Sequence, residues 1–343
     1  MKSSTHCTVA KAPEHIVLSR TDSIGDVMLT LPLAGLLKQR FPGVRITFIG
    51  RGYTRPVLER CVHVDHVITL EELAAGDPVT MLRALHADAL VHVFPQGDVA
   101  RWAKSAGIPL RIGTSHRWWH WLTCNERVAF SRRKSELHEA QLNVKLLAPL
   151  GIHEVPSLES LASLSGFMRP AVDAQFRDWF HPGYRTVILH PGSRGSAAEW
   201  GLDNFAELTR LLNQRNYMTV VTGTEEEARR YREVLPLAHP LTIDAGGMLR
   251  LDELISLIGG SHALVAASTG PLHIAAACGI RAVGLYSARR PIHPGRWAPI
   301  GRDAHALVVD PACADCAAGK KCDCIRRITP QRILALLEPL RPH

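Results

Sequence analysis

The residue types best suited to chemistry fall in three short turns, each directly after an apolar run of strand length. The first, Ser23-Ile24-Gly25-Asp26, follows His15–Ser19. A carboxylate beyond the carboxyl end of a strand in an α/β sheet can act as a general base, with Gly25 allowing close approach. Asp26 can equally cap a helix starting at Val27, and spacing alone does not separate the two roles. The second, His190-Pro191-Gly192-Ser193-Arg194-Gly195-Ser196, offers small residues and one guanidinium, a combination able to cradle a diphosphate. The third lies in Ala263–Ala277. There an apolar strand leads through Ser268-Thr269-Gly270-Pro271 into a helix containing Leu272 and His273. Such a turn aims unpaired amides and the positive end of a helix at one point, where an anion fits; an ordinary βα turn is the alternative.

Eight cysteines occur. Cys7, Cys61, Cys124 and Cys278 are scattered, as reduced thiols are. Cys313, Cys316, Cys322 and Cys324 form C-x2-C-x5-C-x-C, which reads either as a small knuckle for Zn2+ or an iron centre or as four reduced thiols in a loop. The sequence lacks the GK[ST] ending of a P-loop in the Ser193 turn, a G-x-G-x-x-G after the first strand and an HExxH metal motif.

The elements that must position these turns alternate in type. His15–Ser19, Val44–Ile49, Val64–Thr69 and Ala89–Phe94 read as strands, with helices at Val27–Gln39, Arg55–Arg60 and Glu136–Leu150. The second half repeats the plan. Strands are expected at Arg185–His190, Met218–Thr222, Ala263–Ala267 and, as the last, Ala282–Tyr286. Helices are expected at Leu202–Asn213, Glu225–Val234, Leu251–Ile258 and Pro330–Leu337. Alternation of this kind predicts α/β domains with parallel, doubly wound sheets. At 343 residues the chain suits two of them. Gly151–Met168 is loop-like in composition and reads as the linker.

Residues 1–150 carry 19 Lys and Arg against 13 Asp and Glu, a net +6; the remainder carries 21 against 19, a net +2. A basic first half suits an anionic partner. His116–Leu122 (HRWWHWL) sets three tryptophans beside basic groups. That is either an apolar cluster under a loop or an amphipathic element at a membrane surface. The polar stretch Met1–Glu14 has no signal-peptide pattern, and the uncharged run Leu254–Ile280 is interrupted by glycine and proline; a cytoplasmic protein is expected.

RTDSIGDVMLTLP (residues 20–32), HPGSRGSAAEWGLDNFAEL (190–208) and ALVAASTGPLHIAAACGIRAVGLY (263–286) together resemble glycosyltransferase family 9, the ADP-heptose:lipopolysaccharide heptosyltransferases. Order and spacing agree from about Ile16 to Ile333. The resemblance implies a GT-B architecture, two Rossmann-like domains facing a cleft. The boundaries would be a polar tail at 1–14, an acceptor domain at 15–168, a nucleotide-sugar domain at 169–328 and a terminal helix and tail at 329–343. It implies an inverting transfer that requires no cofactor or metal, from ADP-heptose or another nucleotide sugar to an anionic lipopolysaccharide core. No nucleic acid is expected as a partner, and peripheral contact with the cytoplasmic face of the inner membrane is. Asp26 matches the family's catalytic aspartate. Ser193, Arg194, Ser196, Glu225 and Ser268, Thr269, Gly270, Pro271, Leu272 and His273 match the donor side, with Glu225 on the ribose hydroxyls. Ser23, Gly25 and His138 match the acceptor side. The cysteine-rich segment before Ile328-Thr329-Pro330 also matches the family's context. Three positions depart from the family's common pattern: Ser268 replaces an aspartate near the donor sugar, Ala198 a lysine near the diphosphate, and Gly201 a proline. Arg194 is the candidate substitute for the missing cation. A different donor or acceptor, or a paralogue that binds without turnover, are the alternative readings.

Overall fold

The computed structural model describes residues 12–132, 135–320 and 322–338. Cys7, most of the expected 1–14 tail and the end of the 329–343 segment lie outside the described residues. Contacts divide the chain into two compact units. The first comprises Met1–Asp22, Thr30–Ser135 and Ala140–Gly166; the second comprises Ser23–Leu29, Glu136–Glu139 and Phe167–His343.

In the first unit, β1 (His15–Ser19), β2 (Arg45–Gly50), β3 (His66–Thr69), β4 (Ala89–His92), β5 (Leu110–Thr114) and β6 (Glu126–Val128) form one sheet. Its order is β3-β2-β1-β4-β5-β6, and every pair is parallel. β1 and β4 are buried along their whole length, which is why they read as unbroken apolar runs. The second unit holds β7 (Arg185–His190), β8 (Tyr217–Val221), β9 (Thr242–Asp244), β10 (Ala263–Ala267), β11 (Arg281–Leu285) and β12 (Ala304–Leu307). Its order, β9-β8-β7-β10-β11-β12, repeats that of the first sheet, again with parallel pairing throughout. A core of Val187, Leu189, Trp200, Phe205, Leu208, Tyr231, Val265 and Ile333 covers one face of this sheet.

Several expectations are corrected. The helix expected at Val27–Gln39 is two helices, Ile24–Met28 and Leu31–Arg40. Pro32 sits in the first turn of the second, where its missing N–H costs nothing, but it prevents one continuous ladder through Leu29 and Thr30. Asp26 is therefore not a cap: Ser23 holds the N-cap position and Asp26 lies in the first turn. Glu136–Leu150 shortens to an α-helix at Glu139–Val144 followed by a 3-10 turn. The stretch expected to be a linker contains a helix, Leu158–Ser163, capped by Ser157. β11 is followed by β12, so it is not the last strand. Among the described residues no helix is long and apolar enough to cross a membrane.

Candidate functional site

The second sheet reverses direction between β7 and β10. From β7 the chain proceeds outward through β8 and β9, and from β10 through β11 and β12. The register pairs Ala266 with His190, so the turns after these two strands emerge side by side. In an open parallel sheet this reversal opens a crevice at the carboxyl ends, where ligands bind. Two of the three turns singled out from the sequence are the two that flank it.

After β10, Thr269 takes the N-cap position of the Gly270–Ala277 helix. Pro271 has no N–H, and the Leu272 amide closes on the Thr269 carbonyl at 3.2 Å. Donors for an anion must then come from the turn itself, Ser268 to Gly270, aided by the helix dipole. The Thr269 hydroxyl and His273 Nδ1 are buried and have no protein partner, as does the hydroxyl of Ser287. Ala267 pairs with Leu285, so Thr269 and Ser287 lie at the same level past the ends of β10 and β11. Buried polar atoms are almost always satisfied, so orphans gathered here fit a polar ligand or water. Burial lowers the pKa of His273 to about 3, helped by neighbouring His138, which keeps the ring neutral. The phenol of buried Tyr286 donates to the Trp297 carbonyl at 2.6 Å, and burial pushes its pKa up.

After β7, Ser193–Ser196 forms a tight turn. The Ser196 amide donates to the Ser193 carbonyl at 2.9 Å and the Ser196 hydroxyl to the same oxygen at 2.7 Å. Arg194 and Gly195 have φ of 48° and 77°, the left-handed pair such a reversed turn requires. The Arg194 amide donates to Glu227 Oε1 at 3.2 Å, and Ser193 Oγ to the Ala197 carbonyl at 3.2 Å. These groups therefore hold the loop together rather than form an outward nest. The loop's outward offering is the exposed Arg194 side chain.

Glu227 had no part in the sequence reading, yet it ties two loops together. Its Oε2 accepts from the Thr224 amide at 2.8 Å and the Thr224 hydroxyl at 3.0 Å, closing a capping box at the Glu225–Tyr231 helix. A methyl at Gly192 would lie 2.1 Å from Glu227 Oε1, so only glycine fits beneath the carboxylate. The T-x-x-E spacing of Thr224 and Glu227 was the available signal. Glu225 instead pairs with Arg229 and Arg232 at the helix surface. His190 Nδ1 lies 2.9 Å from Thr222 Oγ1, and burial lowers this histidine's pKa.

The segment carrying Asp26 packs on the Gly270–Ala277 helix within the second unit. Two glycines permit the approach. A methyl on Gly25 would stand 3.0 Å from His273 Cδ2, and one on Gly270 would stand 2.8 Å from Ile24 Cβ. The half-buried Asp26 accepts from Ser23 Oγ at 2.5 Å. His138 lies in the same unit, buried, with Nε2 at 2.9 Å from the Ala298 carbonyl and its pKa lowered to about 4 by burial. Beside it, buried Glu139 and half-buried Arg296 form an ion pair at 2.9 Å. His138 is thus part of the packing beneath the turn rather than an open contact residue. The structure joins Ser23, Gly25, Asp26 and His138 to the Ser268–His273 turn.

The first unit has its own reversal, between β1 and β4. There the Ser19 and Thr21 hydroxyls and both His92 nitrogens are buried without a protein partner. Asn143 Oδ1 accepts from Arg20 at 3.3 Å and from Arg132 at 3.1 Å, bracing the loop after β1. Asn143 lies more than a hundred residues from Arg20, so no local pattern marks it.

The sulfurs of Cys313, Cys316, Cys322 and Cys324 lie within 4.8 Å of one another. The HRWWHWL stretch forms a helix, Trp118–Thr123, with Trp118, Trp121 and Leu122 exposed and His120 buried.

The sequence profile of glycosyltransferase family 9 (heptosyltransferase) matches residues 81–324. A Haemophilus influenzae protein named "Putative glycosyltransferase" is 28% identical over 87% of this chain and 90% of its own length. A glycosyl transferase family 9 structure from Veillonella parvula superimposes with a TM-score of 0.77 at 19% identity, covering 95% of this chain and 97% of its own. The Escherichia coli ADP-heptose lps heptosyltransferase II does so at 0.70 and 20% identity, over 95% and 98%. The two parallel six-stranded sheets, matched along these structures, are the GT-B fold.

Proposed function

The chain belongs to glycosyltransferase family 9 and is a glycosyltransferase; from that premise we propose that it moves a heptose from ADP-heptose to an anionic lipopolysaccharide inner-core acceptor, with inversion at the anomeric carbon. One observation carries the reading: the Ser193 and Ser268 turns flank the reversal of the second sheet, and the Asp26 helix is seated on the helix that leaves this crevice. The similarity to an ADP-heptose lps heptosyltransferase supports the choice of donor and acceptor.

In this reading the diphosphate rests on the Ser268–Gly270 turn, with Arg194 as the nearby cation and Glu225 on the ribose. Asp26 accepts the proton of the acceptor hydroxyl as that oxygen bonds to the anomeric carbon. The bond from the anomeric carbon to the diphosphate breaks in the same step, and ADP leaves with the electron pair. The helix dipole and turn amides stabilise the charge that develops on it. Neutral His273 beneath the turn adds no second charge there.

The departure at Ser268 bears on the sugar, because a hydroxyl stands where a carboxylate is common. The deciding experiment measures nucleotide release over deacylated core acceptors with ADP-heptose, then with UDP-, GDP- and CMP-sugars. Turnover with ADP-heptose is expected. Turnover only with another donor would replace the sugar assignment, and measurable donor binding with no turnover would favour a binding paralogue.

The basic first half and the exposed tryptophan helix suit an acceptor embedded in an anionic lipid surface. Arg127 stacks over Trp121 at 4.6 Å and Arg117 over Trp119 at 5.6 Å, which places guanidinium and indole groups together as interfaces favour. Flotation with vesicles containing anionic phospholipid should lose bound protein when Trp118 and Trp121 are both changed to Ala. Equal flotation of both proteins would end this part of the reading.

A further inference from the structure

Cys313 and Cys322 have their sulfurs 3.5 Å apart, as do Cys316 and Cys324. Disulfide sulfurs stand about 2.05 Å apart, so these are non-bonded pairs. Four bonds of about 2.3 Å to a tetrahedral ion put the sulfurs about 3.8 Å from one another. The observed cluster, with all four sulfurs inside 4.8 Å, is therefore already near the size of a metal-binding tetrahedron. Three of the cysteines are buried and Cys322 is half-buried. The Cys324 amide donates to Cys322 Sγ at 3.4 Å, and both sulfurs of the close C-x-C pair lie within the cluster.

The cluster sits where it can brace the crevice loops. Ala288, two residues beyond Tyr286, packs against the sulfurs and fixes the loop that follows β11. Cys324 opens a short 3-10 turn through Arg327. Directly after it, the Ile328 carbonyl accepts the Trp200 indole N–H at 2.8 Å, and the Arg326 carbonyl accepts from Asn204 at 2.9 Å. Trp200 is fully buried against Phe205 and ends the loop that begins at His190. The cysteines thus lie between the segment that anchors Trp200 and the loop carrying Tyr286.

We propose that these four thiolates bind one tetrahedral transition-metal ion, Zn2+ or Fe2+, and that the ion locks the β11 loop to the segment holding Trp200. Soft thiolate donors in a closed tetrahedron select ions of this class and leave no open position for substrate, so the role is structural. Metal binding itself does not depend on the sugar-transfer reading.

The test begins with wild-type protein purified under anaerobic conditions and analysed by plasma mass spectrometry. About one equivalent of zinc or iron is expected, released by a mercurial reagent as about four thiols react. Iron would show thiolate charge-transfer absorption and zinc would not. Cys316→Ser should lose the metal, whereas Cys61→Ser, in the other unit, should keep it. Less than about a tenth of an equivalent in the wild type, both as purified and after anaerobic reconstitution with Zn2+ or Fe2+, would overturn the site. Full metal content in Cys316→Ser would do the same. If Cys316→Ser fails to fold, reconstitution and mercurial stoichiometry on the wild type still decide. The lock is tested by stripping the ion: Tm should fall and recover on reloading, and an unchanged Tm would remove the structural role.

Discussion

At Gly270 a single methyl group would meet Ile24 Cβ at 2.8 Å, and neither atom sits on a side chain that can swing away. Gly270→Ala should therefore lower stability by about 1–3 kcal/mol, read from the urea midpoint. An unchanged midpoint would mean that the Asp26 segment does not pack on the helix as described. Arg194 tests the proposed donor seat in the opposite way, because its side chain is exposed and its loss leaves the fold alone. Arg194→Ala should weaken ADP binding about tenfold, roughly 1.4 kcal/mol, by calorimetry with Tm unchanged; equal affinity would count against a phosphate role. The turn residues were legible because glycine, serine and proline after an apolar run have few other uses. Glu227 was not picked out because three glutamates stand in a row, and only the capping-box spacing from Thr224 distinguishes the one that turns inward. Asn143 offers no such spacing, since its partners Arg20 and Arg132 reach it only through the fold.

In the second unit the Gly270–Ala277 helix and its neighbours bury His273 and His138, and in the first unit β4 buries His92; all three must stay neutral, and this makes both units acid-sensitive. Burial lowers His273 and His92 to about 3 and His138 to about 4, against the ordinary 6.5. Unfolded, all three take up protons as pH falls below about 6.5; folded, they do not until about pH 4 or below. Their contribution to stability is thus complete above pH 6.5 and is lost progressively from there down to about pH 4 for His138 and about pH 3 for His273 and His92. The urea midpoint should drop clearly from pH 7.5 to pH 5, with about two to three protons taken up on unfolding. A flat profile across that window would show that these rings are solvated. The helix boundaries were less legible than the strands. Pro32 reads as tolerable within a helix, yet it begins a new one, and that break is what allows Ile24–Met28 to belong to the second unit while Leu31–Arg40 belongs to the first.

Over the whole molecule, the same strand order appears in both sheets, and in each the reversal falls next to a turn that the sequence marked. The central strands β1, β4, β7 and β10 were readable because parallel pairing buries both faces and leaves continuous apolar runs. The strands β5, β6, β9 and β12 were not: β5 is only half-buried at Leu110 and Arg111, and the others are short edge strands with partly exposed residues such as Glu126, Asp244 and His305. Family membership rests on motifs that sit at these reversals, so the architecture and the transferase class were reachable from residues. The sugar was not, since Ser268 stands where the family commonly has a carboxylate and the fold is the same with either. Asp26, on the helix packed against Gly270–Ala277, is the proposed base for the acceptor's proton. Asp26→Asn keeps the size and the polar contact with Ser23 but removes the base. The measurement is sugar transfer under saturating donor and acceptor, alongside ADP affinity by calorimetry on the same sample. A loss of kcat on the order of a thousandfold with ADP binding unchanged is the predicted result; turnover within a few-fold of wild type would contradict it.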